Sequence, residues 1–241
     1  MTLEAVVFDW GGTLNPTHWV DVADLWRVSA EHLAPDRVDE VTAALAAAEA
    51  EWWVEAVAGR RSGTTADLLT EVAAATGLDI SQAVHDLALE AHHGVWAPRT
   101  VAHPYAADVI RAIRARGLKT GLLSNTHWFR EWHEGFLERD GLLDLLDVRV
   151  YTSDIAHLKP APEAFNAVLE QLGVQGSDAV FVGDRQYDDI FGAARVGMRT
   201  VWMSNDATPE HDVQPDAVIS TLPELVDVID AWMRGTAQAS T

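Results

Sequence analysis

Val6-Val7-Phe8-Asp9-Trp10-Gly11-Gly12-Thr13-Leu14 is the stretch on which the fold turns. The β-branched and aromatic run Val6-Val7-Phe8 predicts a short strand buried on both faces. The run breaks off at an acidic residue, and two glycines follow, residues that let a backbone come close to a ligand. An aspartate at the carboxyl end of a buried parallel strand lies where open α/β sheets hold their ligands. A carboxylate there can act as a nucleophile, a metal ligand or both. A plain strand and turn with a capping aspartate fits the same residues, so the remainder of the chain has to decide.

Beyond Thr13 the pattern becomes helical and stays so to about residue 96. Helices are expected over Val20 to Leu33, Asp36 to Ala58, Thr64 to Thr76 and Ser81 to His93. In the second, Val41, Leu45, Ala48 and Trp52 fall at helical spacing. Four helices with no strand between them break a βαβ rhythm, and residues 15–98 are expected to form a helical domain inserted after the first strand. From residue 100 strands and helices alternate. Strands are expected at Lys119 to Leu123, Val148 to Thr152, Ala179 to Val182, Thr200 to Met203 and Ala217 to Ile219. The intervening helices are Tyr105 to Arg116, Trp128 to Arg139, Pro162 to Leu172 and Asp188 to Val196, with Pro223 to Arg234 last. Such alternation predicts an α/β fold, a doubly wound, Rossmann-like parallel sheet formed by residues 1–14 and 99–241. The echo of Thr17-His18-Trp19 in Thr126-His127-Trp128 is too short to mark a repeat.

The 241 residues are 48% hydrophobic and 22% charged, enough to bury a full core. With no cysteine, disulfides, thiolate metal sites and cysteine nucleophiles are excluded. A formal charge of −20 argues against nucleic acid or an anionic membrane as partner. The apolar runs fall short of membrane-spanning length and the N-terminus enters the first strand directly, so a cytoplasmic protein is expected. An anionic substrate would need a metal ion or a few placed cations, and Lys119 and Lys159 are the only lysines.

Each central strand ends in a residue suited to phosphate chemistry. Asp9 ends the first and Ser124 the second, Lys159 follows the third, and Asp184 ends the fourth. In a parallel sheet these ends meet at one edge. Taken together the motifs Asp9-Trp10-Gly11-Gly12-Thr13, Leu122-Leu123-Ser124-Asn125, Leu158-Lys159-Pro160 and Gly183-Asp184-Arg185-Gln186-Tyr187-Asp188-Asp189 resemble, in order, those of the haloacid dehalogenase-like (HAD) hydrolase superfamily. The resemblance spans essentially the whole chain, with residues 15–98 in the place of that family's helical cap. It implies that Asp9 is a nucleophile forming an aspartyl intermediate. Mg²⁺ would be held by Asp9, the Gly11 carbonyl and Asp184, with Asp189 farther out or bonded through water. Ser124 and Lys159 would hold phosphoryl oxygens, and Gly12, Thr13 and Asn125 would contribute to substrate binding.

One departure matters. Phosphatases of that family carry a second aspartate two places after the nucleophile, which protonates the leaving alkoxide and then activates water. Here Gly11 stands there. Losing a general acid/base costs about 10²–10⁴ in rate. Three resolutions stand open. The leaving group needs no proton; a residue elsewhere substitutes, with His18 first, His127 second and His92 or His93 third; or the protein binds and turns over little. A dehalogenase attacking carbon needs no acid either, but has no use for the acidic pair Asp184 and Asp189. The phosphonoacetaldehyde hydrolase alternative requires a cap lysine, and residues 15–98 contain none. The expected function is therefore Mg²⁺-dependent hydrolysis of a small phosphorylated metabolite, by a monomer or a homodimer. Arg60 and Arg61 are candidates for contacting a substrate carboxylate or second phosphate, and one or two of Trp19, Trp26, Trp52, Trp53 and Trp96 for lining the pocket.

Overall fold

The computed structural model describes residues 3–16, 20–59 and 61–238. Its strands are β1 Ala5–Phe8, β2 Lys119–Ser124, β3 Val148–Tyr151, β4 Ala179–Gly183, β5 Arg199–Met203 and β6 Ala217–Ile219. All pair in parallel in one sheet, in the order β3-β2-β1-β4-β5-β6. β1 is central, with Val7 beside Gly121 on one side and Phe181 on the other. The chain moves outward from β1 through β2 to β3, then returns to the far side of β1 as β4. The strand order therefore reverses between β1 and β4, and an open α/β sheet binds its ligand outside that reversal.

Four helices follow β1: α1 Val22–Leu33, α2 Val38–Val57, α3 Thr65–Ala75 and α4 Gln82–Trp96. After them come α5 Ala106–Arg114, α6 Arg130–Arg139, α7 Pro162–Leu172, α8 Gly192–Arg195 and α9 Glu224–Gln238. Val6 and Phe8 point to the face covered by Ile110 and Ile113 of α5, Leu137 of α6 and Ile229 of α9. Ala5 and Val7 point to the face covered by Phe165, Val168 and Leu172 of α7. That helix has Pro at its first position and stops at Gly173, whose φ of 67° is open to glycine at little steric cost. It packs so closely that a Cβ on Gly121 would stand 3.2 Å from both Leu172 Cδ1 and Val168 Cγ2. Each large apolar side chain so buried contributes roughly 1.5–3 kcal/mol.

Helices α1–α4 gather round a core of their own, built from Trp26, Leu45, Trp52, Leu68, Leu69 and Val72. Leu158, from the loop that leads to Lys159, is inserted into it. The chain segments joining this unit to the sheet run together, with Asn15 Nδ2 donating to Arg99 O (3.3 Å) and His103 N to Leu14 O (2.7 Å).

Helix boundaries differ from the sequence expectation in three instructive places. α4 continues to Trp96, past the expected stop at His93. α6 starts at Arg130 rather than Trp128, because the Thr126 hydroxyl takes the Trp128 N–H (2.9 Å) and holds that segment as a loop. The single helix expected over Asp188 to Val196 is a wide π turn, Gln186–Phe191, followed by α8. Arg185 O accepts from both Asp189 N (2.9 Å) and Ile190 N (3.3 Å), the widened turn that often marks a functional position.

Candidate active site

Asp9, Ser124, Lys159 and Asp184 line one cavity of about 490 Å³ at the carboxyl edge of the sheet. Asp9 extends β1, its N–H donating to Val182 O (2.9 Å). Lys159 reaches in from the loop after β3, where Asn125 brackets its backbone. The Asn125 Nδ2 donates to Lys159 O (3.0 Å), and Lys159 N donates back to Asn125 Oδ1 (2.9 Å). Thus fixed, the ammonium donates to Asp9 Oδ1 (2.5 Å) and to Asp189 Oδ1 (2.7 Å). Burial works against the charged lysine, but the Asp189 and Asp9 carboxylates outweigh it and hold its pKa above the ordinary value.

Asp189 is placed by the π turn and by a glycine. A Cβ on Gly183 would overlap the Asp189 side chain, so β4 has to end without one. The other Asp189 oxygen accepts from Arg185 N (2.9 Å). Asp184 is steadied from β5 and the loop after it: Trp202 Nε1 donates to its carbonyl (2.9 Å) and Asn205 Nδ2 to its Oδ2 (3.3 Å). Its Oδ1 is buried and has no partner. Burial, then the Asp9 and Asp189 charges, push the Asp184 pKa up, and burial does the same to Asp9 against the pull of Lys159.

This donor set fits a hard divalent cation. Carboxylate oxygens of Asp9, Asp184 and Asp189 lie within 4.8 Å of one another, and the Lys159 ammonium pairs with only two of them, Asp9 and Asp189. Oxygen ligands of this kind suit Mg²⁺, and a dication here would reverse the upward push on the two aspartates.

The opposite wall comes from the helices that follow β1. Glu49 of α2 receives His127 Nε2 (3.0 Å) and Trp53 Nε1 (3.3 Å) on Oε1, and Trp26 Nε1 (2.6 Å) on Oε2. Burial would raise its pKa, but the His127 bond and charge and the two indole donors outweigh that and bring it down to about 2. His127 is engaged on its second ring nitrogen as well, 2.9 Å from Thr65 Oγ1, while Thr65 N donates to His127 O (2.7 Å). Trp53, Trp96 and Trp128 complete an aromatic lining.

The remaining sequence candidates fall into three groups. Gly12 and Asn125 line the cavity, with the Gly12 N–H engaged by Asn15 O (2.9 Å) and the Asn125 amide by Lys159. Gly11 lines it too. Thr13 is fully buried outside the lining with an unpartnered hydroxyl, and Arg61 pairs with Glu71 (2.5 Å), also outside it. His18, Arg60 and Trp19 lie outside the described residues. Among the proposed stand-ins for the missing acid, His92 accepts the Trp96 indole N–H (3.1 Å) and His93 stacks on Trp132 and Phe136, neither in the lining. Trp26 and Trp52 are core, whereas Trp53 and Trp96 do line the cavity.

Sequence reasoning missed Glu49, Thr65, His133 and Asn205. It named His127 as a stand-in for the acid but not its neighbours, although Thr126, His127 and Trp128 all line the cavity.

A family model for haloacid dehalogenase-like hydrolases matches residues 3–197. A glyceraldehyde 3-phosphate phosphatase of Pyrococcus furiosus is 32% identical over 133 residues, 53% of this chain and 54% of the relative. The chain thus spans about half the length of that curated relative. Two solved structures superpose over nearly everything. A HAD phosphatase from Thermococcus onnurineus has 25% identity and a TM-score of 0.60, covering 94% of this chain and 98% of that one. A 2-haloacid dehalogenase from Pseudomonas syringae pv. Tomato has 26% identity and a TM-score of 0.65, covering 96% and 100%. With the family's four motifs gathered at one sheet edge and its model matched over residues 3–197, the chain belongs to the haloacid dehalogenase-like hydrolases.

Proposed function

We propose that the protein is a Mg²⁺-dependent phosphohydrolase of a small phosphorylated metabolite, with Asp9 as nucleophile and residues 15–98 as a cap over the core. The observation that carries this reading is the unpartnered, buried Oδ1 of Asp184, set among the Asp9 and Asp189 carboxylates. Such an arrangement is costly without a cation and has no purpose in a dehalogenase, which attacks carbon without a metal. The phosphatase relatives support the same choice.

In this mechanism an Asp9 oxygen attacks phosphorus while the bond to the leaving oxygen breaks, giving an aspartyl phosphate that water then cleaves. Lys159 holds Asp9 and offsets charge on the transferring group, and Ser124 holds a phosphoryl oxygen. Asp9, Asp184 and the Gly11 carbonyl would hold Mg²⁺, with Asp189 fixing the lysine beside it. When bound, the ion neutralises charge that accumulates on the phosphoryl oxygens.

Phosphate release from a metabolite panel, with Mg²⁺ and with chelator, tests the proposal alongside beryllium fluoride trapping on Asp9. Asp9→Asn is expected to lower turnover by on the order of 10⁵-fold or more, as loss of a nucleophile does elsewhere. Mg²⁺-independent release of halide from haloacids, with no phosphate release, would replace this reading by dehalogenation.

A further inference from the structure

The leaving-group side of the cavity can be described by what it offers a departing oxygen. At Gly11 a Cβ would meet no heavy atom within 4 Å, so space is open where the family's acid would stand. Other lining groups do not take over its task among the described residues. His127 has both ring nitrogens engaged by Glu49 and Thr65. Glu49, with its pKa down at about 2, is ionised at neutral pH and has no proton to give. His133 is buried, and burial followed by the His127 and Arg130 charges takes it down to about 3, so it too is neutral. Thr208 donates to Asp184 O (3.2 Å), and Asp188 faces Arg185 (3.4 Å) on the turn that carries Asp189.

The walls add a second constraint. Trp53, Val57, Trp96 and Trp128 make the surface flat and apolar, with Trp96 and Trp128 edge to face at 4.8 Å. Offset and edge-on packing suits a planar ring or double bond. The third constraint is charge. Glu49 places a carboxylate at the α2 side, and the two lining arginines are already engaged, Arg99 by Val95 O (2.6 Å) and Arg185 by Asp188 (3.4 Å). Arg61, the cation expected to meet a second acidic group, is paired with Glu71 outside the lining.

Resting on the Asp9 phosphohydrolase reading, we infer that the substrate is the phosphate monoester of an acidic, planar, uncharged hydroxyl compound, a phenol or an enol, whose oxygen departs without a proton from the protein. Asp9 forms its bond to phosphorus as the phosphorus–oxygen bond breaks, and the phenolate or enolate keeps the electron pair. Water then supplies the hydroxyl that displaces Asp9 from phosphorus and the proton that the departed oxygen takes up. The two steps sum to hydrolysis.

The test is kcat/KM, which reports the bond-breaking step, measured with Mg²⁺ on ring-substituted phenyl phosphates of graded acidity and on alkyl phosphates such as glycerol phosphate. The unmodified protein is expected to show a steep decline with rising leaving-group pKa, leaving alkyl esters about 10²-fold or more behind phenyl phosphate. Gly11→Asp is expected to flatten the line by raising the alkyl rates about 10²–10⁴-fold. Phenyl phosphate is expected to outrun its 4-carboxyphenyl analogue about tenfold, and Glu49→Gln to narrow that gap by relieving the repulsion. Trp96→Leu, which keeps bulk but not the flat face, is expected to raise KM for aryl esters without altering the slope. A flat line in the unmodified protein overturns the inference, and one that becomes steep in His18→Gln assigns the proton to His18. Equal rates on neutral and carboxylated phenyl phosphates overturn the charge part. Phosphate release with a flat line leaves the phosphohydrolase reading intact, whereas no release from any ester sinks both.

Discussion

The two ends of the cavity manage charge in different ways. At the strand ends, three carboxylates are crowded together and one ammonium pairs with two of them, so each side chain depends on the next. At the α2 end a single carboxylate, Glu49, is held by two indoles and by His127, whose bond and charge lower its pKa. The first arrangement is in excess of negative charge and fits a dication. The second is already satisfied and asks for a ligand without charge of its own sign. In a protein of net charge −20, attraction for an anion is concentrated in one place and the rest of the pocket is left to shape.

The contrast can be broken most decisively at Lys159. Lys159→Met leaves Asp9 and Asp189 buried without their shared cation, which should cost about 3–5 kcal/mol, as loss of one partner from a buried pair does. Urea unfolding with and without Mg²⁺ checks this, and the ion is expected to restore part of the loss. A change near zero would mean that the strand-end charges are not interdependent.

Acid comes next. His133 is brought from 6.5 to about 3 in the folded protein, by burial and then by the His127 and Arg130 charges. His92 is brought from 6.5 to about 4, chiefly by burial. Below pH 6.5 the unfolded chain therefore takes up protons that the folded one refuses, and stability falls as pH drops. The slope is at most about 1.4 kcal/mol per pH unit for each histidine. Glu49, brought from 4.5 to about 2, adds its own loss only once pH falls below about 4.5. Urea midpoints across this range measure the slope, and His133→Leu should flatten its upper part. Measured with Mg²⁺, which opposes the raised pKa values of Asp9 and Asp184 and so the opposite slope they would add, midpoints that stay level between pH 6.5 and 5 would contradict the burial of these imidazoles.

The smallest effect belongs to the α2 end. Thr65→Val keeps the N–H bond to His127 O and loses the hydroxyl's contacts with His127 Nδ1 (2.9 Å) and His127 O (3.1 Å), a change worth about 1 kcal/mol. It is expected to shift KM more than kcat. Should it match Lys159→Met in cost, the two ends would not differ as described.

Legibility in the sequence follows the same division. Asp9, Ser124, Lys159 and Asp184 each stand next to a hydrophobic run whose end sets their place, so the parallel sheet and its crowded edge could be anticipated. Glu49 could not. It is one of several glutamates on an alanine-rich helix, and its partner His127 is 78 positions away. Nothing within α2 distinguishes it from Glu51 or Glu55. Local pattern likewise predicted a plain helix at Asp188, because the π turn answers to a tertiary demand, the approach of Asp189 to the end of β4. His133 was hidden by ordinary helical spacing in α6. The triplet Thr126-His127-Trp128 offered the best available clue, polar and aromatic residues directly after a strand end.

The position of β1 has a consequence for how the protein is made. Ala5 pairs with Lys119 on one side and with Ala179 on the other, so this strand is synthesised well before either of its neighbours. Until β4 has left the ribosome, an apolar strand waits with an open edge, while α1–α4 need mainly contacts among themselves and can mature early. The newborn chain is thus most exposed to aggregation at the very segment that leads into Asp9, and holding that segment apart is work for a chaperone.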